Sequence, residues 1–125
     1  MSDDWELSEK PYDLRERLFR FACVIVRVVQ FLHTRGPVAS ALSYQVLKYG
    51  TSAGANYEEA DDGSSDRDIP AKRKISLREI KETRFRLRVL RKCELLTSDG
   101  DPVIWESDEL VKILATLVRN SDGSH

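Results

Sequence analysis

From Asp13 to His33 the chain runs without Gly or Pro, and Leu14, Leu18, Phe21, Ile25, Val28 or Val29 and Leu32 recur every third or fourth residue. That spacing is one apolar stripe of a helix. The β-branched residues Val24, Ile25, Val26, Val28 and Val29 would also suit a strand. Length decides for helix, because about twenty periodic residues exceed a typical strand. Phe19, Val24, Val26 and Phe31 lie off the stripe. One bundle core cannot cover them all, which points to burial against another subunit.

Thr34-Arg35-Gly36-Pro37 stops this helix, since Gly suits a C-terminal cap and Pro cannot continue the hydrogen-bond ladder. A second helix fits 38–61, with Leu42, Gln45 or Val46, Tyr49, Ala53, Asn56 and Ala60 on one side. Its middle, Gly50-Thr51-Ser52-Ala53-Gly54-Ala55, is a poor helix former, each Gly costing ~1 kcal/mol relative to Ala. Small residues at that density mark a close approach of two helices, with a kink as the alternative. Asp62-Gly63-Ser64-Ser65-Asp66 is a connector. A third helix should run from Asp68 or Ile69 to Leu96, roughly 40 Å, with Pro70 tolerated in its first turn. Its stripe reads Ile80, Thr83, Leu87 and Leu90, extended by Ile75, Leu77 and Cys93. Thr97 to Pro102 is a polar turn, and Ser107 is the expected cap of a fourth helix. Leu110, Ile113, Leu114, Leu117 and Val118 form its inner face.

The fold class is therefore all-α, an antiparallel up-down-up-down four-helix bundle, with a ring-shaped homo-oligomer as the expected assembly. The expected organisation is an acidic arm at 1–12, the bundle at 13–121 and a tail at 122–125 that frays. The longest apolar stretch, Phe21 to Leu32, contains Arg27 and is too short to span a bilayer. The opening Met-Ser-Asp-Asp-Trp-Glu lacks the apolar segment of a signal peptide. Two Cys, at 23 and 93, are expected as buried thiols in a reducing compartment, so the expected location is the cytoplasm.

The formal charge of −1 conceals a strong segregation. Residues 72 to 92 hold ten of the 20 Lys and Arg and only two acids, Glu79 and Glu82, for a net +8 against −9 elsewhere. Charge segregation of this size creates a local field that attracts polyanions; the alternative is an ordinary solvated helix face whose Arg and Lys stems cover apolar surface.

Catalytic chemistry finds little support. The two His and two Cys have no ligand-type spacing, so no metal or other cofactor is expected. His33 reads as a helix-end residue, and Glu58, Glu59, Asp61 and Asp62 as a solvated helix end. No Gly-rich phosphate loop or nucleophile-base order is present, and no small-molecule substrate is expected. Four polar residues, Asn56, Glu59, Glu79 and Glu82, are candidates for a structural network that fixes helix register, with Glu82 paired to Arg78 or Arg86.

Thr51-Ser52-Ala53-Gly54-Ala55-Asn56-Tyr57-Glu58-Glu59-Ala60 looks like the helix-two signature T-S-x-G-A-N-x-x-E-A of a known family. Asp68-Ile69, Lys74 to Glu79 and Glu82 to Leu90 look like its helix-three signature, D-F…K-I-A-x-K-E…E-T-x-Y-W-L-x-L-L. The chain thus resembles the four-helix-bundle proteins also called 23S rRNA intervening-sequence proteins, to which diversity-generating retroelement accessory proteins are related. The resemblance implies a non-enzymatic bundle commonly assembled as a homopentamer, and in the retroelement branch an association with RNA and a reverse transcriptase. It places Gly54, Asn56, Glu59, Glu79, Glu82 and Thr83 at signature positions. The chain departs from the pattern at Ile69-Pro70, where the family favours an aromatic residue, and at Arg86, where it often has Trp.

Two functions compete. In the first, an oligomeric adaptor binds structured RNA, or an RNA–protein complex, through Lys74, Arg78, Lys81, Arg84, Arg88, Arg91 and Lys92. In the second, a protein-only scaffold neutralises those cations with acids of its own, and Trp5 and Trp105 anchor subunit contacts.

Overall fold

The computed structural model describes Trp5, Leu7, residues 13–62 and residues 68–123. The expected acidic arm (apart from Trp5 and Leu7), the connector at 63–67 and the last two residues of the tail lie outside the described residues. Four helices account for most of the chain: α1 (Leu14–Leu32), α2 (Pro37–Asp62), α3 (Asp68–Lys92) and α4 (Asp101–Gly123). There is no strand among the described residues.

Asp13 opens α1 by accepting a hydrogen bond from the backbone N–H of Arg15 at 3.0 Å. Its whole expected stripe is buried, and so is Val24. Phe31 is covered within the chain, Trp5 meeting its ring edge-on at 5.6 Å between centroids. Of the four residues assigned to a partner subunit, only Phe19 and Val26 remain exposed. The turn into α2 uses Gly36 at φ +100°, a conformation that glycine reaches without a Cβ penalty.

The glycine-rich middle of α2 is unbroken helix. A Cβ at Gly50 would lie 2.8 Å from Ile25 Cγ2, and one at Gly54 would lie 3.3 Å from Leu18 Cβ. The small residues let α1 and α2 approach closely, and the propensity lost at each Gly is offset by Leu18 and Ile25 packing against backbone. Replacing Gly50 by Val forces Ile25 out of a fully buried position. The expected cost is about 2 kcal/mol, read as a lower urea midpoint with an unchanged slope.

The C-terminus of α3 falls short of the expected Leu96. Glu94 takes a left-handed φ of 63°, and the N–H groups of Leu95 and Leu96 return to the Leu90 carbonyl. This swings Leu96 into the core, against Gly100. Cys93 then points outward, and both Cys23 and Cys93 are exposed, correcting their assignment as buried core thiols. The fourth helix starts earlier than expected. A short 3-10 turn, Ser98–Gly100, feeds into α4 at Asp101, and Pro102 sits in its first turn, where a missing N–H costs nothing. Ser107 is not a cap; it is buried mid-helix and donates to the Ile104 carbonyl at 2.6 Å. At the other end α4 continues to Gly123, two residues into the segment assigned to the tail.

Candidate nucleic-acid interface

The polar residues between α2 and α3 set how the basic helix is presented. Glu79, 8% exposed, accepts hydrogen bonds from Ser52 Oγ at 2.5 Å and Asn56 Nδ2 at 2.8 Å. Asn56 also donates to the Ser52 carbonyl, and Ser76 Oγ donates to the Ala53 carbonyl at 2.7 Å. Thr83 Oγ1 closes on the Glu79 carbonyl at 2.8 Å. A buried carboxylate is costly unless its lone pairs are satisfied, so these contacts define one rotation of α3 against α2. Two of the four predicted network residues, Asn56 and Glu79, meet here. Glu59 and Glu82 lie elsewhere: Glu59 pairs with Lys72 at 3.3 Å, and Glu82 pairs with Arg86. Arg86 also donates to Gln45 at 2.8 Å and stacks on Tyr49. Ser52 was not among the predicted residues; its position four before Asn56 is the signal for it.

With α3 so oriented, its ten cations divide by face. Lys72, Arg84, Arg86 and Arg91 are in ion pairs with carboxylates of the chain, Arg84 with Asp108 at 3.4 Å and Arg91 with Asp101 at 2.9 Å. Arg73 lies over the Tyr57 ring at 6.0 Å. Burial pushes the Tyr57 phenol above its ordinary value, with Asp61 adding and Arg73 opposing. Lys74 is exposed and has a contact of its own. Arg78, Lys81, Arg88 and Lys92 are exposed and make no ion pair or hydrogen bond among the described residues. Of the seven predicted contact residues, Arg84 and Arg91 therefore serve the packing of α3 on α4. The outward stripe is narrower than the sequence suggested: Lys74, Arg78, Lys81, Phe85, Arg88 and Lys92, at alternating spacings of four and three residues. It covers roughly 27 Å of helix.

Between α1 and α4 lies a charge pair that sequence reading missed. Arg17 donates to Glu106 through Nη2 at 2.6 Å and Nε at 3.1 Å, and their side chains are only 11% and 3% exposed. The hydrogen bond to Glu106 holds the Arg17 guanidinium above its ordinary range despite burial. His33 stands at the end of α1 with Nδ1 2.7 Å from Ser40 Oγ. No group of three or more His, Cys, Asp or Glu that could hold a metal occurs among the described residues, and no described helix is long and apolar enough to cross a membrane.

No protein-family model and no curated protein matches the chain. A crystal structure at 1.70 Å of a protein of unknown function from the S23 ribosomal protein family of Bacteroides thetaiotaomicron VPI-5482 is similar, with a TM-score of 0.77 and 31% identity. The similarity covers 86% of this chain and 99% of that one. The chain belongs to the S23 ribosomal protein family, in loose agreement with the resemblance carried by Gly50 to Leu90.

Proposed function

We propose that this protein is a non-enzymatic oligomeric adaptor of the cytoplasm that binds structured RNA, or an RNA–protein complex, through the outward stripe of α3. The observation that carries the reading is the row of Arg78, Lys81, Arg88 and Lys92, four exposed cations without a carboxylate partner among the described residues. Cations held in solvent along a rigid rod release counterions from a phosphate backbone, giving affinity that depends steeply on salt and weakly on sequence. The ribosomal label of the similar structure and the intervening-sequence resemblance both favour RNA over other polyanions.

The assembly we propose is an antiparallel up-down-up-down bundle that forms a ring of identical subunits, a pentamer by family resemblance. Arg86 with Gln45, Glu79 with Ser52 and Lys72 with Glu59 pair rising positions on α3 with falling ones on α2, as an antiparallel pair requires. Phe19, 56% exposed, flanks a groove with Ala22, Thr51 and Ala55 that suits a subunit contact. The accessory subunit of a reverse transcriptase in a diversity-generating retroelement is the specific form the family resemblance suggests. A protein-only scaffold is the second reading, favoured by the ion pairs that already engage Lys72, Arg84, Arg86 and Arg91.

Binding to a structured RNA should weaken at least tenfold between about 50 and 200 mM salt, measured by fluorescence anisotropy. Light scattering on the same sample should give a multiple of 14.3 kDa. Absence of RNA binding at low salt selects the scaffold.

A further inference from the structure

Phe85 is the one apolar residue in the outward stripe, and it is 61% exposed. A large aromatic side chain in water, ringed by cations, contributes nothing to the core it turns away from. Lys81 lies one turn before it and Arg88 one turn after, with Lys92 a further turn on. Phe85 lines a cavity of 270 Å³ with Arg88, Val89, Lys92 and Cys93. That volume is below the ~300–1,000 Å³ of pockets that enclose a whole small-molecule ligand, so it suits a single planar ring. Its lining holds two cations and no acid. The adjoining groove of 720 Å³, which shares Arg88 and Lys92, also contains Glu94 and Asp101. A polyanion is therefore drawn more strongly to the Phe85 side, because in the other groove Glu94 and Asp101 offset two of the three cations, Arg88, Arg91 and Lys92.

We propose that Phe85 is a stacking platform for one unpaired base of the bound RNA, so that the preferred ligand is a bulge or loop within a stem rather than an uninterrupted duplex. The proposal rests on the RNA-binding reading of the same helix. A base lying on the Phe85 ring has its two flanking phosphates about one helical turn to either side, within reach of Lys81 and of Arg88 or Lys92. Duplex bases are stacked on one another and cannot reach the ring; an extruded base gives up that stacking and regains it on Phe85.

The test uses the full chain and two RNA probes, an uninterrupted duplex stem with no loop and the same stem with an unpaired bulge carrying 2-aminopurine. Wild type should bind the bulged stem more tightly and change the 2-aminopurine fluorescence. Phe85→Ala should lose roughly tenfold for the bulged probe and nothing for the helical stem. Phe85→Trp should keep the preference. Equal affinities of wild type for the two probes, or no loss in Phe85→Ala, overturn the proposal. If in addition Arg78→Ala/Lys81→Ala/Arg88→Ala/Lys92→Ala leaves binding to both probes intact, the RNA reading itself fails; if it abolishes both, the stacking proposal alone is lost. A Phe85→Ala protein with a changed subunit number by light scattering shows instead that the ring is covered by a second copy of the chain, which also overturns it.

Discussion

Replacing Arg78, Lys81, Arg88 and Lys92 together by Ala lowers affinity for structured RNA by on the order of a hundredfold at 50 mM salt. It also flattens the plot of log affinity against log salt by about 3, since each lost phosphate contact removes roughly 0.7–0.9 from the slope. Fold stability should hardly change, because these side chains are exposed and leave no buried partner behind. The comparison that gives the result its meaning is Arg84→Ala with Arg91→Ala. These two are equally basic and lie on the same helix, but they are held by Asp108 and Asp101 of α4. Their removal frees two carboxylates and should move affinity far less than the stripe does. Equal losses in the two variants would mean that net charge alone, and not the orientation of α3, governs binding. An unaffected quadruple variant would leave the protein-only scaffold as the reading.

The orientation that separates those two sets was only partly legible in the sequence. The core stripes of α1 and α3 were, because Leu18, Phe21, Ile25, Ile80, Leu87 and Leu90 keep helical spacing and are all buried. The close approach at Gly50 and Gly54 was also legible, since two glycines in one helix cost propensity that only packing repays. Cys93 was misplaced because, in the last turn of α3, it falls on the side of Phe85, Val89 and Lys92 and not on that of Leu87 and Leu90. Cys23 was misplaced for a different reason: its residue type is usually buried, but it sits off the α1 stripe. In the candidate interface, the ten cations were legible as a cluster and not as faces. Which of them stay in solvent depends on Asp101 and Asp108, residues of another helix brought alongside by the turn at Glu94. Reading Pro102 as part of a turn moved the start of α4 to Ser107, which left Glu106 outside the helix. Its partnership with Arg17 was then invisible.

That partnership supports the second large effect. Arg17→Met should destabilise the fold by about 3 kcal/mol, because it takes from the nearly buried Glu106 carboxylate the guanidinium that faces it. For a domain of this size the melting temperature should fall by roughly 15 °C. The remaining contact of Arg17, to Glu109 at 3.4 Å, is to a half-exposed carboxylate and accounts for little of the loss. If the cost arises from the lost charge pairing and not from lost packing, Arg17→Met combined with Glu106→Leu should recover most of it. Two apolar side chains of similar reach can fill the space between α1 and α4, and a buried ion pair gives little stability beyond such a replacement. Denaturant titration of wild type, both single variants and the double variant forms the cycle that measures this coupling. A double variant as unstable as Arg17→Met would show that the pair acts through geometry no apolar pair reproduces. Such a result would make it a determinant of how α4 is docked. RNA affinity at low salt should be the same in the folded single and double variants, since Arg17 and Glu106 join α1 to α4 and are not part of the α3 stripe.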